Sequence, residues 1–159
     1  MSPIALKSTI LLVEDEPDDV FFMKLAFKRA GLIEPPHVAR DGHEAIAYLN
    51  GEGDFADRSL HPLPSLVLLD LKLPRIMGME VLKWIRARPE WDLMVVIILT
   101  SSQQAKDIRE ACALRANSYL LKPSNPDDLA AIADLLKRYW LTLNQPTATG
   151  NVWSVALAR

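Results

Sequence analysis

Residues 65–74 read Ser65-Leu66-Val67-Leu68-Leu69-Asp70-Leu71-Lys72-Leu73-Pro74 (SLVLLDLKLP), and this stretch decides the fold. Four consecutive apolar residues, Leu66 to Leu69, read as a short strand buried on both faces, the pattern of a parallel sheet covered by helices. A carboxylate at the end of such a strand is costly to bury without a partner. Asp70 therefore belongs where the sheet opens, and it needs a reason to be there.

Working outward, similar apolar runs recur at Thr9–Val13, Val95–Leu99 and Ser118–Leu121, with a weaker one at His37–Ala39. Amphipathic stretches separate them. Asp18 to Ala30 opens with acids and stops at Gly31. Gly42–Leu49 is short, and Met79–Arg88 stops before Pro89. Ser102–Arg115 carries Ala105, Ile108 and Cys112 on one apolar face. Asn125–Leu141 has Asn125 as N-cap, Pro126 in the first turn and two acids beside the positive end of the dipole; its stripe is Leu129, Ile132, Ala133, Leu136 and Trp140. Five β-α repeats predict an α/β domain with a parallel sheet and helices on both faces. Asn50–Pro64 reads as a long loop.

Composition limits the function classes. The chain has 159 residues, enough for one domain, half of them apolar and with a net charge of -2. That charge gives no general attraction to nucleic acid or anionic membranes. No apolar run approaches the ~20 residues that span a bilayer. Glu14 and Asp15 interrupt the first apolar run too early for a signal peptide. The single cysteine, Cys112, excludes an internal disulfide, and a reducing cytoplasm is the expected location.

The polar residues fall where the strands end: Glu14 and Asp15 after the first, Asp70 after the third, Thr100, Ser101 and Ser102 after the fourth, Lys122 and Pro123 after the fifth. In an open parallel sheet all these ends share one edge, where ligands bind. Acids gathered there repel one another, by roughly 4 kcal/mol for two charges 4 Å apart at an effective dielectric near 20. Lys122 offsets part of this. A hard divalent ion that favours oxygen ligands, such as Mg²⁺, would offset more.

The set Glu14-Asp15, Asp70, Thr100 and Lys122-Pro123, in this order at strand ends, resembles the receiver domain of two-component response regulators. Pro74, Gly78 and Tyr119 fit the same pattern, and the resemblance covers about residues 8–141. EDEPDD, the insertion before LPSLVLLDLKLP, and GMEVLKWIR resemble the single-domain regulators that partner phytochrome-type sensor kinases. The resemblance implies a flavodoxin-like, doubly wound sheet of five strands in order 2-1-3-4-5. It implies a phosphorylation-dependent switch, not an enzyme with a separate substrate. Asp70 would be the phosphoacceptor and a sensor histidine kinase the donor. Mg²⁺ would be held by Glu14, Asp15, Asp70 and the backbone carbonyl of Lys72. Lys122 and Thr100 would bind phosphoryl oxygens, and Tyr119 would swing inward as Thr100 moves. The Lys122–Pro123 peptide is often cis in this family.

Other readings fit less well. Phosphatases of the haloacid-dehalogenase type need a second carboxylate two residues after the nucleophile, where this chain has Lys72. A nucleotide enzyme needs a glycine-rich turn where this chain has EDEPDD. A degenerate receiver, used only for binding or dimerisation, remains as the alternative. With no basic output segment after residue 141, signalling is expected to pass through protein contacts. Leu135 and Tyr139, off the stripe of the last helix, are expected on that surface. Val152, Trp153, Val155 and Leu157 make residues 142–159 a candidate docking or dimerisation arm, and a homodimer is expected.

Overall fold

The computed structural model describes residues 9–144. Five strands, β1 (Ile10–Val13), β2 (His37–Ala39), β3 (Leu66–Leu69), β4 (Val96–Thr100) and β5 (Ser118–Leu121), form one parallel sheet in order β2-β1-β3-β4-β5. Five helices connect them: α1 (Pro17–Arg29), α2 (Gly42–Asn50), α3 (Gly78–Arg86), α4 (Ala105–Ala113) and α5 (Pro126–Leu136). The order reverses at β1: the chain runs to β2 on one side, then returns to β3 on the other. This doubly wound arrangement opens a crevice beyond the carboxyl ends of β1 and β3.

Strand alternation divides the core. Leu11, Val13, Val67 and Leu69 point into the layer beneath α2, α3 and α4, with Tyr48, Val81, Leu82 and Ile85. Ile10, Leu12, Leu66 and Leu68 point the other way, to Val20, Met23 and Phe27 of α1 and to Ala133 and Leu136 of α5. Both faces of β1 and β3 are buried, which is why these strands read as unbroken apolar runs.

Local signals set the helix ends. Asp41 caps α2 by accepting from the Glu44 N–H at 2.8 Å, and Glu44 accepts from the N–H of Arg40, the residue before the cap, at 2.8 Å. Asn125 accepts from the Asp128 N–H at 2.8 Å at the start of α5, as the sequence predicts. In α1, Pro17 opens the first turn and Asp18 and Asp19 face the positive dipole end.

Three expectations are corrected. Ala105, Ile108 and Cys112 are exposed, and α4 buries Ala111 instead, with Leu114 and Ala116 partly covered beyond it. A short helix on a sheet edge needs little apolar surface, so a weak outer stripe can imitate the inner one. Helix α5 ends at Leu136, and the chain continues to Leu143 as a π-helix instead of an α-helix to Leu141. Its stripe nonetheless stands: Ala133 and Leu136 are buried, with Leu129, Ile132 and Trp140 packed against them. The Lys122–Pro123 bond is trans, as are all peptide bonds among the described residues. Even before proline the trans form is favoured by about 0.5–1 kcal/mol. Residues 145–159, with Trp153 of the expected arm, lie outside the described residues.

Candidate functional site

The sheet register brings the strand-end residues together. Val13 pairs with Leu69, so Glu14 and Asp70 emerge side by side, and the Asp70 N–H bonds to the Val13 carbonyl at 3.1 Å. Thr100 pairs with Leu121, and the Lys122 N–H bonds to the Thr100 carbonyl at 2.9 Å. Glu14, Asp70 and Thr100 are buried.

Lys122 lies at the centre. Its ammonium donates to Asp70 Oδ2 at 2.8 Å, to Asp19 Oδ2 at 2.9 Å and to Glu14 Oε2. The remaining carboxylate oxygens meet the backbone: Glu14 Oε1 accepts from the Glu16 N–H at 3.2 Å and Asp70 Oδ1 from the Lys72 N–H at 3.2 Å. Burial raises the Glu14 carboxyl to about 7 against the pull of Lys122, with the Asp70 charge adding to the rise. Burial also opposes charge on Lys122, but its hydrogen bonds to Asp70, Glu14 and Asp19 outweigh it and raise the ammonium above its ordinary value.

Glu14, Asp15 and Asp70 each offer a carboxylate oxygen, all within 4.8 Å of one another. Three hard oxygen donors in one cluster suit a divalent cation of the Mg²⁺ or Mn²⁺ class. Asp15 is half-buried at the open side. The close packing around Asp70 depends on Gly78. A Cβ built there would lie 2.0 Å from the Asp70 carbonyl oxygen and 2.7 Å from Leu71 Cα, so only glycine lets α3 start against the β3 loop.

Thr100 and Tyr119 sit on the β4–α4 side. The Thr100 hydroxyl oxygen accepts from the Ser102 N–H at 3.4 Å. Tyr119 is half-buried against the α2/α3/α4 core, and its hydroxyl donates to the Ser102 carbonyl at 2.9 Å. The Ser102 hydroxyl donates to Asp107 at 2.5 Å. Burial raises the Tyr119 phenol above its ordinary value, while the bond to Ser102 opposes the rise.

Sequence reasoning missed Asp19. It was read as a helix-end acid, and it is that, but it also bonds Lys122 from across the site. Its place in the first turn of α1, directly after the Glu14-Asp15 strand end, was the available signal. The Ser102–Asp107 bond was missed too, because nothing in the sequence fixes where the β4–α4 loop turns.

Comparison with known proteins agrees with this geometry. Residues 10–134 match the response regulator receiver domain. The probable methanogenesis regulatory protein FilR2 of Methanothrix harundinacea is 39% identical over 86% of this chain and 85% of its own. Response regulator Rcp1 of Synechocystis sp. is 34% identical over 87% of this chain and 93% of its own. The crystal structure of its Mn²⁺-bound form superposes with a TM-score of 0.77, at 33% identity over 87% of this chain and 97% of that one. The phosphorylated cyanobacterial phytochrome response regulator RcpA superposes with a TM-score of 0.80, at 33% identity over 87% of this chain and 96% of that one. Among the described residues no helix is long and apolar enough to cross a membrane. The fold, the acidic cluster and these matches together establish that the chain belongs to the response regulator receiver domain family, close to the single-domain phytochrome response regulators.

Proposed function

We propose that the chain is a phosphorylation switch in which Asp70 accepts a phosphoryl group from a phosphohistidine of a sensor histidine kinase. One Asp70 oxygen forms a bond to phosphorus while the P–N bond to the histidine breaks, and the electron pair returns to the imidazole. Such transfers need positioning and charge neutralisation more than proton transfer. Lys122 would move onto a phosphoryl oxygen, and Thr100 would donate its hydroxyl to another. Glu14, Asp15, Asp70 and the Lys72 carbonyl would hold Mg²⁺, which when bound neutralises charge on the phosphoryl oxygens. Release of the Thr100–Ser102 contact would let the β4–α4 loop and Tyr119 rearrange. The observation that carries this reading is the Lys122 ammonium bonded to Asp70 beside the Glu14, Asp15 and Asp70 cluster.

The receiver would catalyse only its own phosphotransfer and slow dephosphorylation, with no separate substrate. Residues 8–141 would form the receiver and act in the cytoplasm, binding neither nucleic acid nor membrane. The likeness to the phosphorylated cyanobacterial phytochrome response regulator RcpA favours a phytochrome-type kinase as donor. Exposed Ile108 on α4, Leu121 on β5, Leu135 on α5 and Tyr139 in the π-helical turn beyond it offer an apolar face for a homodimer or an output partner.

Intact-mass measurement after incubation with acetyl phosphate and Mg²⁺ tests the core of the proposal. One acid-labile phosphoryl group, absent in Asp70→Asn, is expected. No gain of mass would leave the degenerate receiver, a binding module, as the reading.

A further inference from the structure

An ammonium has three N–H donors, and Lys122 has three carboxylate partners: Glu14, Asp70 and Asp19. A phosphoryl oxygen arriving on Asp70 therefore meets an ammonium with no free donor, and one carboxylate must give way. The three differ in what release costs. The side chains of Glu14 and Asp70 are 3% and 7% exposed, against 47% for Asp19. A buried carboxylate that lets go loses its partner and gains little water, whereas Asp19 exchanges into solvent. Asp19 also stands outside the cluster of Glu14, Asp15 and Asp70, so no cation held there competes for it. It projects from the first turn of α1 and not from a strand end.

We propose that Asp19 is a positioning residue that holds Lys122 beside the acceptor between phosphorylation events and is the partner the phosphoryl group displaces. This rests on Asp70 being the phosphoacceptor. In labelling by acetyl phosphate, an Asp70 oxygen bonds to phosphorus as the P–O bond to acetate breaks, and the electron pair leaves with acetate. One Lys122 N–H swings from Asp19 Oδ2 to a phosphoryl oxygen, and no proton changes owner. Asp19 thus restrains the reaction twice: it competes for Lys122, and its charge repels the incoming anion.

The test compares initial labelling rates by acetyl phosphate, read by intact mass, for native protein, Asp19→Asn, Asp19→Glu and Asp18→Asn. Asp18 is an exposed neighbour in the same helical turn and serves as a control for general charge. Asp19→Asn is expected to label about threefold to fivefold faster, the upper part of the span set by a partly exposed ion pair. Asp18→Asn and Asp19→Glu should stay within about twofold of native, as exposed charges usually do. Urea unfolding in EDTA runs beside it, because a purely structural Asp19 would lower the midpoint and slow labelling. An unchanged or slower rate in folded Asp19→Asn overturns the proposal, and so does equal acceleration by Asp18→Asn. Absence of labelling in the native protein would instead overturn the acceptor assignment, and this proposal with it.

Discussion

Lys122 Nζ lies 2.8 Å from Asp70 Oδ2, bridging the ends of β5 and β3 across the intervening β4. The same ammonium holds the buried Glu14 from β1. One cation thus ties three of the five strand ends together, and without it two buried acids face each other. Lys122→Ala should therefore lose about 3–5 kcal/mol at pH 8 in EDTA, the range for breaking a buried pair from one side. The loss should shrink at pH 5.5, where Glu14, raised to about 7, takes up a proton and needs no partner. Urea melts at the two pH values check this. An equal loss at both would mean that Lys122 stabilises through packing instead of charge.

The raised Glu14 carboxyl also predicts how metal binding depends on pH. In metal-free protein the folded state keeps a proton between pH 4.5 and about 7 that the unfolded chain releases. Stability in EDTA should therefore fall as pH rises through that window. A cation must displace the proton, so Mg²⁺ affinity should climb by up to about tenfold per pH unit below 7 and level off above it. Titration calorimetry from pH 5.5 to 8.5 measures the slope. Glu14→Gln should flatten it, and a native slope in that variant would remove Glu14 from the metal site.

Gly78→Ala tests the close approach behind Asp70. Its Cβ would sit 2.0 Å from the Asp70 carbonyl oxygen, which is backbone and has no rotamer to escape into. Either α3 or the β3 loop must move. A loss of about 1–3 kcal/mol, as for overpacking, is expected, together with slower labelling by acetyl phosphate. Native stability and rate would show that α3 slides without disturbing Asp70.

These residues show how far the sequence could be read. The strand ends were legible because burial on both faces leaves continuous apolar runs, and the break from Leu69 to Asp70 marks the edge directly. The start of α5 was legible because Asn125 and Pro126 act within one turn. The inner face of α4 was not, since Ala111 alone is fully buried among small and polar residues and Ile108 gave a false stripe. The tie from Asp19 to Lys122 spans 103 positions and depends on the angle at which α1 leaves β1, which no local pattern encodes.

The exposed face of α4, β5 and α5 leads to a test of assembly. Leu135 on α5 and Tyr139 in the π-helical segment that follows it are 64% and 58% exposed. Leu135→Asp with Tyr139→Asp should convert a dimer to a monomer in light scattering with little change in the urea midpoint, because neither residue is in the core. Removing residues 142–159 separately measures the share of that segment. A dimer that survives both changes would place the interface elsewhere.

Asp70→Asn sets two effects against each other. The variant loses a charged bond to Lys122, which favours the native residue. It also removes one of three carboxylates sharing a single ammonium, and it relieves the Asp70 charge that helps raise Glu14. Lys122 keeps Glu14 and Asp19 as partners, so its charge is not stranded. Relief should win in EDTA at pH 8, making Asp70→Asn more stable than native by on the order of 1 kcal/mol. At pH 5.5 protonated Glu14 no longer repels Asp70, and the gap should close. Mg²⁺ at pH 8 should narrow or reverse it, because a ligand stabilises most the form that binds it best. Urea melts under the three conditions give the signs directly. If Asp70→Asn is less stable than native in EDTA at pH 8, the Asp70–Lys122 bond outweighs the crowding of acids, and Asp70 is a structural partner of Lys122 as well as the proposed acceptor.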